Sequence, residues 1–136
     1  VSLPDDPSNE AKSLEFLEEN GLLTLEKVEP GTATTEDIAE NPHDFQFIKV
    51  AGQQLARSLD DVDYSVVQAT YLRAAGVGAE VELVRAPQAI RLAIILVTRT
   101  ENVDSEEFRL LRETFEDPKL DDFIDATFGD LIAGVR

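Results

Sequence analysis

Apolar residues recur along the chain in two periods, and the alternation between them sets out the elements. Val1–Leu3 is a short apolar run that reads as a buried strand. Asp6-Pro7 follows, a good helix start: aspartate accepts from the first free amides and proline suits the first helical position. Ala11, Leu14, Phe16 and Leu17 recur at helical spacing, so the helix should run to about Asn20 with Gly21 as its left-handed stop. Leu22 to Thr35 is less regular, with a turn at Pro30-Gly31. Thr34 followed by Asp37 predicts a short capped helix through about Glu40, ended by Asn41-Pro42. Phe45–Val50 reads as a strand, Gly52–Leu59 as a helix, Asp60–Asp63 as a turn and Tyr64–Gln68 as a strand. A helical piece begins at Tyr71 and closes at Gly76 and Gly78.

Ile90–Thr98 is apolar at nearly every position, which predicts a strand covered on both faces. Asp104 with Glu107 has the capping-box spacing and opens a helix with Phe108, Leu111 and Phe115 inward. Asp117-Pro118 repeats the Asp-Pro start, and Leu120, Phe123 and Ile124 line the last helix. Strands alternating with helices predict an α/β domain with a mainly parallel sheet flanked by helices. In such sheets ligands sit beyond the carboxyl ends of strands, where helices begin. The Asp6 turn and the Tyr64–Thr70 strand end are two such places, and they are expected to face one crevice.

The chain has 136 residues, 43% hydrophobic and 29% charged, enough for one globular domain with a core. Its formal net charge is −16. Nucleic acid is not an expected partner, because a polyanion is bound by clustered Lys and Arg. There are no cysteines, which excludes disulfides, thiolate metal sites and cysteine nucleophiles. No apolar run is long enough to span a bilayer.

Candidate chemistry is sparse. His43 is the only histidine and stands in a polar loop, with no Gly-x-Ser-x-Gly elbow elsewhere to serve it. No catalytic residue is assigned. Asp60, Asp61 and Asp63 read as a solvated turn rather than a metal site, and no cofactor or metal is expected. Gly76-Val77-Gly78 lacks the rest of a phosphate-binding loop. The Asp6–Lys12 turn combines free amides, an amide side chain at Asn9 and the cation of Lys12. From spacing alone an ordinary capped helix with a solvated lysine is the better reading, since most helix starts bind nothing. Gln68, Thr70 and Tyr71 end a strand with polar groups. With Asn9 and Lys12 they suit a zwitterion: a cation and amides for a carboxylate, side-chain oxygens for an ammonium.

Several stretches carry a family resemblance. "VSLPDDPSNEAKSL" resembles the I-A-I-P-N-D-P-S-N-E-G-R-A-L pattern of the NlpA/MetQ family, the substrate-binding lipoproteins of methionine ABC importers. "ATTEDIAENP" is similar to a second family stretch. "QQLARSLDDVDYSVVQATY" is similar to a third, which usually ends D-D-V-D-A-A-V-I-N-G-N-Y. "IILVTRTEN" resembles the return strand, and the helices from Asp104 to Phe128 resemble the C-terminal end. The resemblance covers nearly the whole chain, in order. It implies a lobe of the type II periplasmic-binding-protein fold. Residues 1–98 would form the second ligand-binding lobe with its return strand. Residues 99–136 would form C-terminal helices that normally pack on the first lobe.

The implied function is non-enzymatic: capture of methionine, or a related amino acid or small molecule, in an interlobe cleft. An ABC permease complex would be the partner and a lipid-anchored, extracytoplasmic protein the setting. Asn9, Lys12, Gln68, Thr70 and Tyr71 are the implied ligand contacts. The chain departs from the pattern at Lys12, where methionine-binding members carry Arg, at Gln68 and Thr70, where both asparagines of N-G-N-Y are replaced, and at Ile94, where Asn is usual. A lysine offers a point charge in place of a bidentate fork. Two further expectations complete the set: a second copy of the chain could cover the apolar faces of the C-terminal helices, as a homodimer or by swapping, and the same architecture also serves cytosolic ligand-sensing regulatory domains.

Overall fold

The computed structural model of the protein describes residues 1–86 and 97–128. The chain forms two compact units, Val1–Arg85 and Ala86–Arg136. In the first, β1 (Ser2–Pro4) leads through Asp6 into α1 (Pro7–Glu19). The Asp6 carboxylate accepts from the Asn9 amide at 3.0 Å, which satisfies one of the free donors of the first turn. Gly21 ends the helix at φ 69°, a left-handed position that glycine takes without a Cβ penalty. β2 (Thr24–Leu25) pairs antiparallel with β3 (Ile38–Glu40), and β4 (Ile48–Val50) pairs parallel with β1, Ser2 opposite Ile48 and Pro4 opposite Val50.

On its other side β1 meets the segment around Ser65, also in parallel. The Ser2 amide donates to the Tyr64 carbonyl at 2.9 Å, and the Val66 amide donates to the Ser2 carbonyl at 3.0 Å. β1 is therefore a central strand. Three parallel segments leave the sheet at one edge, at Pro4, Val50 and Val66. Below them α1 buries Ala11, Leu14 and Leu17 with Leu3, Leu23 and Ala33. Burying each leucine contributes about 1.5–3 kcal/mol. The stripe expected of α1 is present, with Phe16 packed at its margin.

Ser2 is fully buried and its hydroxyl lies 2.7 Å from that of Ser58. Ser58 donates to the Leu55 carbonyl at 2.7 Å, and Ser65 donates to the same carbonyl at 3.1 Å. A second polar tie joins α1 to the sheet. Glu10, 4% exposed, pairs with Lys49 of β4 at 2.6 Å and accepts from the Thr35 amide at 3.1 Å.

Several expected boundaries move. The helix predicted from Thr34 through Glu40 is only a 3-10 turn, Thr35–Asp37, because residues 38–40 are drawn into β3. Its cap is as expected: the Thr34 amide and hydroxyl both donate to Asp37 at 2.8 Å. These bonds, the hydroxyl's first, hold the Asp37 carboxyl below its usual value. The expected Gly52–Leu59 helix is two 3-10 turns, Gly52–Gln54 and Arg57–Asp60. The Phe45–Val50 strand shortens to β4, and the Tyr64–Gln68 strand to the pairing at Ser65. α2 (Ala69–Ala74) starts two residues before Tyr71.

In the second unit, α3 (Glu106–Glu116) and α4 (Pro118–Phe128) are the described helices. Ser105, not Asp104, caps α3, accepting from the Phe108 amide at 3.2 Å. Asp117 accepts from the Lys119 amide at 2.9 Å at the start of α4. Leu111 and Phe115 of α3 and Phe123 of α4 are exposed rather than inward. The expected strand Ile90–Thr98 lies outside the described residues except for Val97 and Thr98, and so does the departure at Ile94. Among the described residues no helix is long and apolar enough to cross a membrane.

Candidate functional site

The three strand exits set the candidate site. After β1 comes the Asp6–Lys12 turn, after β4 the Gly52 turn, and after Val66 the Gln68–Tyr71 stretch. The structure joins the first and third directly: Gln68 Nε2 donates to Asn9 Oδ1 at 2.6 Å, across 59 residues of sequence.

Asn9 is held from both ends. Its backbone amide donates to one oxygen of Asp6 and its Nδ2 to the other, each at 3.0 Å. A carboxylate only accepts, so Asp6 fixes which end of the Asn9 amide faces it. The Asn9 oxygen is thereby turned to Gln68, which must donate. One hydrogen on Nδ2 and one lone pair on Oδ1 remain for a ligand. Gln68 stands at the N-cap position of α2 but makes no cap bond with its side chain. Its amide serves Asn9 instead, leaving the Gln68 oxygen as an acceptor.

The two bonds from Asn9, the side-chain one first, hold the Asp6 carboxyl below its usual value, with the Lys12 charge adding to them. Lys12 is exposed, one turn beyond Asn9, and makes no ion pair among the described residues. A lowered carboxyl value stabilises the fold above 3.8, and that contribution is lost as pH falls through the folded-state value below 3.8. Asp6→Ala is expected to cost about 1 kcal/mol at neutral pH, the usual worth of such a cap. Urea unfolding of variant and parent should show that gap close in acid, below 3.8.

Thr70 and Tyr71 lie in the first turn of α2. Thr70 is exposed, and the structure does not bond it to Asn9, Lys12 or Gln68. Tyr71 is half-buried and its ring lies over Gly52. Neither Asp6 as the anchor of Asn9 nor Gly52 beneath Tyr71 figures among the residues singled out from sequence. The Asp-x-x-Asn spacing of a capped helix start was the available signal for Asp6, and nothing local signals Gly52. His43 is remote in kind: it is exposed in the loop before β4, its ring centroid 5.4 Å from that of Phe45. Among the described residues no group of three or more His, Cys, Asp or Glu side chains could hold a metal ion.

The sequence model of the NlpA lipoprotein family matches residues 1–134. The chain belongs to the NlpA lipoprotein family. Among curated relatives, the Vibrio cholerae protein named "Probable D-methionine-binding lipoprotein MetQ" is 33% identical over 121 residues, which cover 85% of this chain and 44% of that protein. The chain thus spans less than half the length of that NlpA-family relative. Among solved structures, an ABC-transporter periplasmic substrate-binding protein from Coxiella burnetii superimposes with a TM-score of 0.81 at 29% identity, covering 98% of this chain and 57% of that one. A nutrient-binding protein from Burkholderia cenocepacia, bound to methionine, superimposes with a TM-score of 0.77 at 27% identity, covering 99% of this chain and 58% of that one. The NlpA-family fold seen here is that of a type II periplasmic binding protein, an α/β architecture with its parallel strands at the site.

Proposed function

We propose that this chain is the ligand-binding lobe of an extracytoplasmic, lipid-anchored substrate-binding protein of an ABC importer. It takes methionine, or a closely related amino acid, against a second lobe of a longer protein and delivers it to a membrane permease. The role is binding, not catalysis. The observation that carries the reading is the Asn9–Gln68 bond: two strand ends far apart in sequence present a shared polar edge beside Lys12. Lys12 meets the carboxylate of the ligand, and the Gln68 and Thr70 oxygens meet its ammonium. Tyr71 supplies an apolar wall. Family membership and the methionine-bound Burkholderia relative support the ligand class.

In the same reading α3 and α4 rest on the other lobe. Leu110, Leu111, Phe115 and Phe123 are each at least 42% exposed, an apolar face with no cover among the described residues of its unit. Cover by a second copy of the chain, the other expectation, has no observation in its favour.

The test is a thermal-shift and calorimetric scan of the full-length protein with L-methionine, D-methionine and a panel of other amino acids. Stabilisation by methionine is the expected result, and no response to any amino acid overturns the reading. Lys12→Ala is expected to weaken methionine binding about tenfold to a hundredfold, the worth of a charge-assisted contact, with little change in the melting temperature of the unliganded protein.

A further inference from the structure

Gly52 occupies a position where a side chain has no room, and the obstacle is Tyr71. A Cβ placed on Gly52 would lie 2.8 Å from Tyr71 Cε2, 3.2 Å from Cζ and 3.4 Å from the hydroxyl oxygen. Carbon atoms in contact sit about 3.5–4.0 Å apart, so the first of these distances is a collision. Conformational freedom does not account for the glycine. The positive-φ glycines among the described residues are Gly21, Gly31 and Gly76, and Gly52 is not one of them. Its backbone conformation is open to any residue. What the position demands is the absence of a side chain beneath an aromatic ring.

The arrangement joins two of the three strand exits. Gly52 follows β4, and Tyr71 sits in the first turn of α2, its amide donating to the Gln68 carbonyl at 2.9 Å. That backbone bond ties the tyrosine to the residue that also holds Asn9. The polar edge and the ring are thus placed by one short stretch, and the ring takes its height above the sheet edge from the bare backbone of Gly52. We infer that Gly52 is a positioning residue for the binding site: it lets the Tyr71 ring lie down against the β4 exit, where the ring forms the apolar wall for the ligand's side chain. The inference rests on the functional reading above. Gly52 itself need not touch the ligand.

The physics separates this role from a stability role. The colliding atoms are the far end of the tyrosine side chain, which can swing about its two side-chain torsions, whereas the backbone at Gly52 accepts alanine without strain. Gly52→Ala should therefore move the ring more than it weakens the fold.

The chain has two tyrosines, Tyr64 and Tyr71, and no tryptophan, so ring-labelled tyrosine gives a direct readout. The experiment is an NMR titration of the full-length protein with ¹³C-labelled tyrosine rings and L-methionine as the probe, with Tyr71→Phe to assign the Tyr71 ring signals. Gly52→Ala is expected to shift the Tyr71 ring signals before any ligand is added. It should also raise the methionine concentration for half-saturation about tenfold, the scale of one lost aromatic contact. In a Tyr71→Ala background, Gly52→Ala should cost no further affinity; additive losses would mean that the glycine acts by another route and overturn the inference. Unmoved Tyr71 signals, or parental affinity with displaced signals, also overturn it. Should Gly52→Ala not fold, Tyr71→Ala and Tyr71→Phe decide: parental affinity in both removes the wall and with it the inference. Failure of the functional reading looks different, since the full-length parent protein would then not respond to methionine, while the ring displacement by Gly52→Ala would still be seen.

Discussion

Truncating Leu14 to alanine is expected to destabilise the Val1–Arg85 unit by about 2–5 kcal/mol, read by urea unfolding followed by circular dichroism. Leu14 is fully buried on the inner face of α1, in one cluster with Leu3, Ala11, Leu17, Leu23 and Ala33. The loss combines the transfer of the removed methyl groups with the cavity left behind. Ala11 and Ala33 are already small, so the neighbours have few atoms with which to fill it. A cost below about 1 kcal/mol would mean that α1 is seated less tightly than its burial indicates. The consequence reaches the site, because α1 carries Asn9 and Lys12.

Removing the Lys49 ammonium is the second large effect. Lys49→Ala leaves the Glu10 carboxylate, its side chain 6% exposed, with the Thr35 amide as its remaining bonded partner. A buried charge stripped of its counter-ion costs more than the pair was worth. The lysine end is itself 41% exposed, so water partly substitutes, and the expected loss is about 1–3 kcal/mol. The informative control is the double variant Glu10→Gln with Lys49→Ala. A neutral amide needs no counter-ion and still accepts from Thr35, so stability should return most of the way. A double variant as unstable as Lys49→Ala alone would assign the loss to the lysine stem packing over α1.

The first and last helices, α1 and α4, were the legible part of the fold. Asp6-Pro7, Gly21, Asp117-Pro118 and the apolar spacing of α1 act through neighbours in sequence, and each did locally what its chemistry requires. What failed was decided at a distance. Within Gly52–Leu59 the Leu55 carbonyl takes the hydroxyl of Ser65, ten residues on, and Ser58 is held by Ser2 from the start of the chain, ties that local spacing does not show. Ile38–Glu40 left its helix for a two-residue partner, β2, too short to show any period. Phe108, Leu111 and Phe115 declared a face by their spacing, but spacing does not say what covers it.

The site was legible as a place more than as a set of contacts. The rule that ligands gather at strand ends put the Asp6 turn and the Gln68 stretch on one edge. It could not specify that Gln68 would donate to Asn9, because the direction of that bond is set by Asp6, a residue read only as a cap. Gly52 was hidden for a similar reason: a glycine at the start of an apparent helix gives no sign of the ring that rests on it.

The central place of β1 in the sheet has a kinetic side. α1 closes on bonds between residues three and four apart, so it can form as soon as its own turns exist. β1 precedes it in the chain yet has no such partner, for the hydroxyl of Ser2 meets Ser58 only 56 residues later. Each end of that span must be brought together against the entropy of the intervening loop before either gains anything. The strand that is first in sequence is thus expected to be completed late. The three exits that frame Asn9, Gly52 and Gln68 depend on the same long-range pairings, so the site is expected to assemble with the closing of the fold.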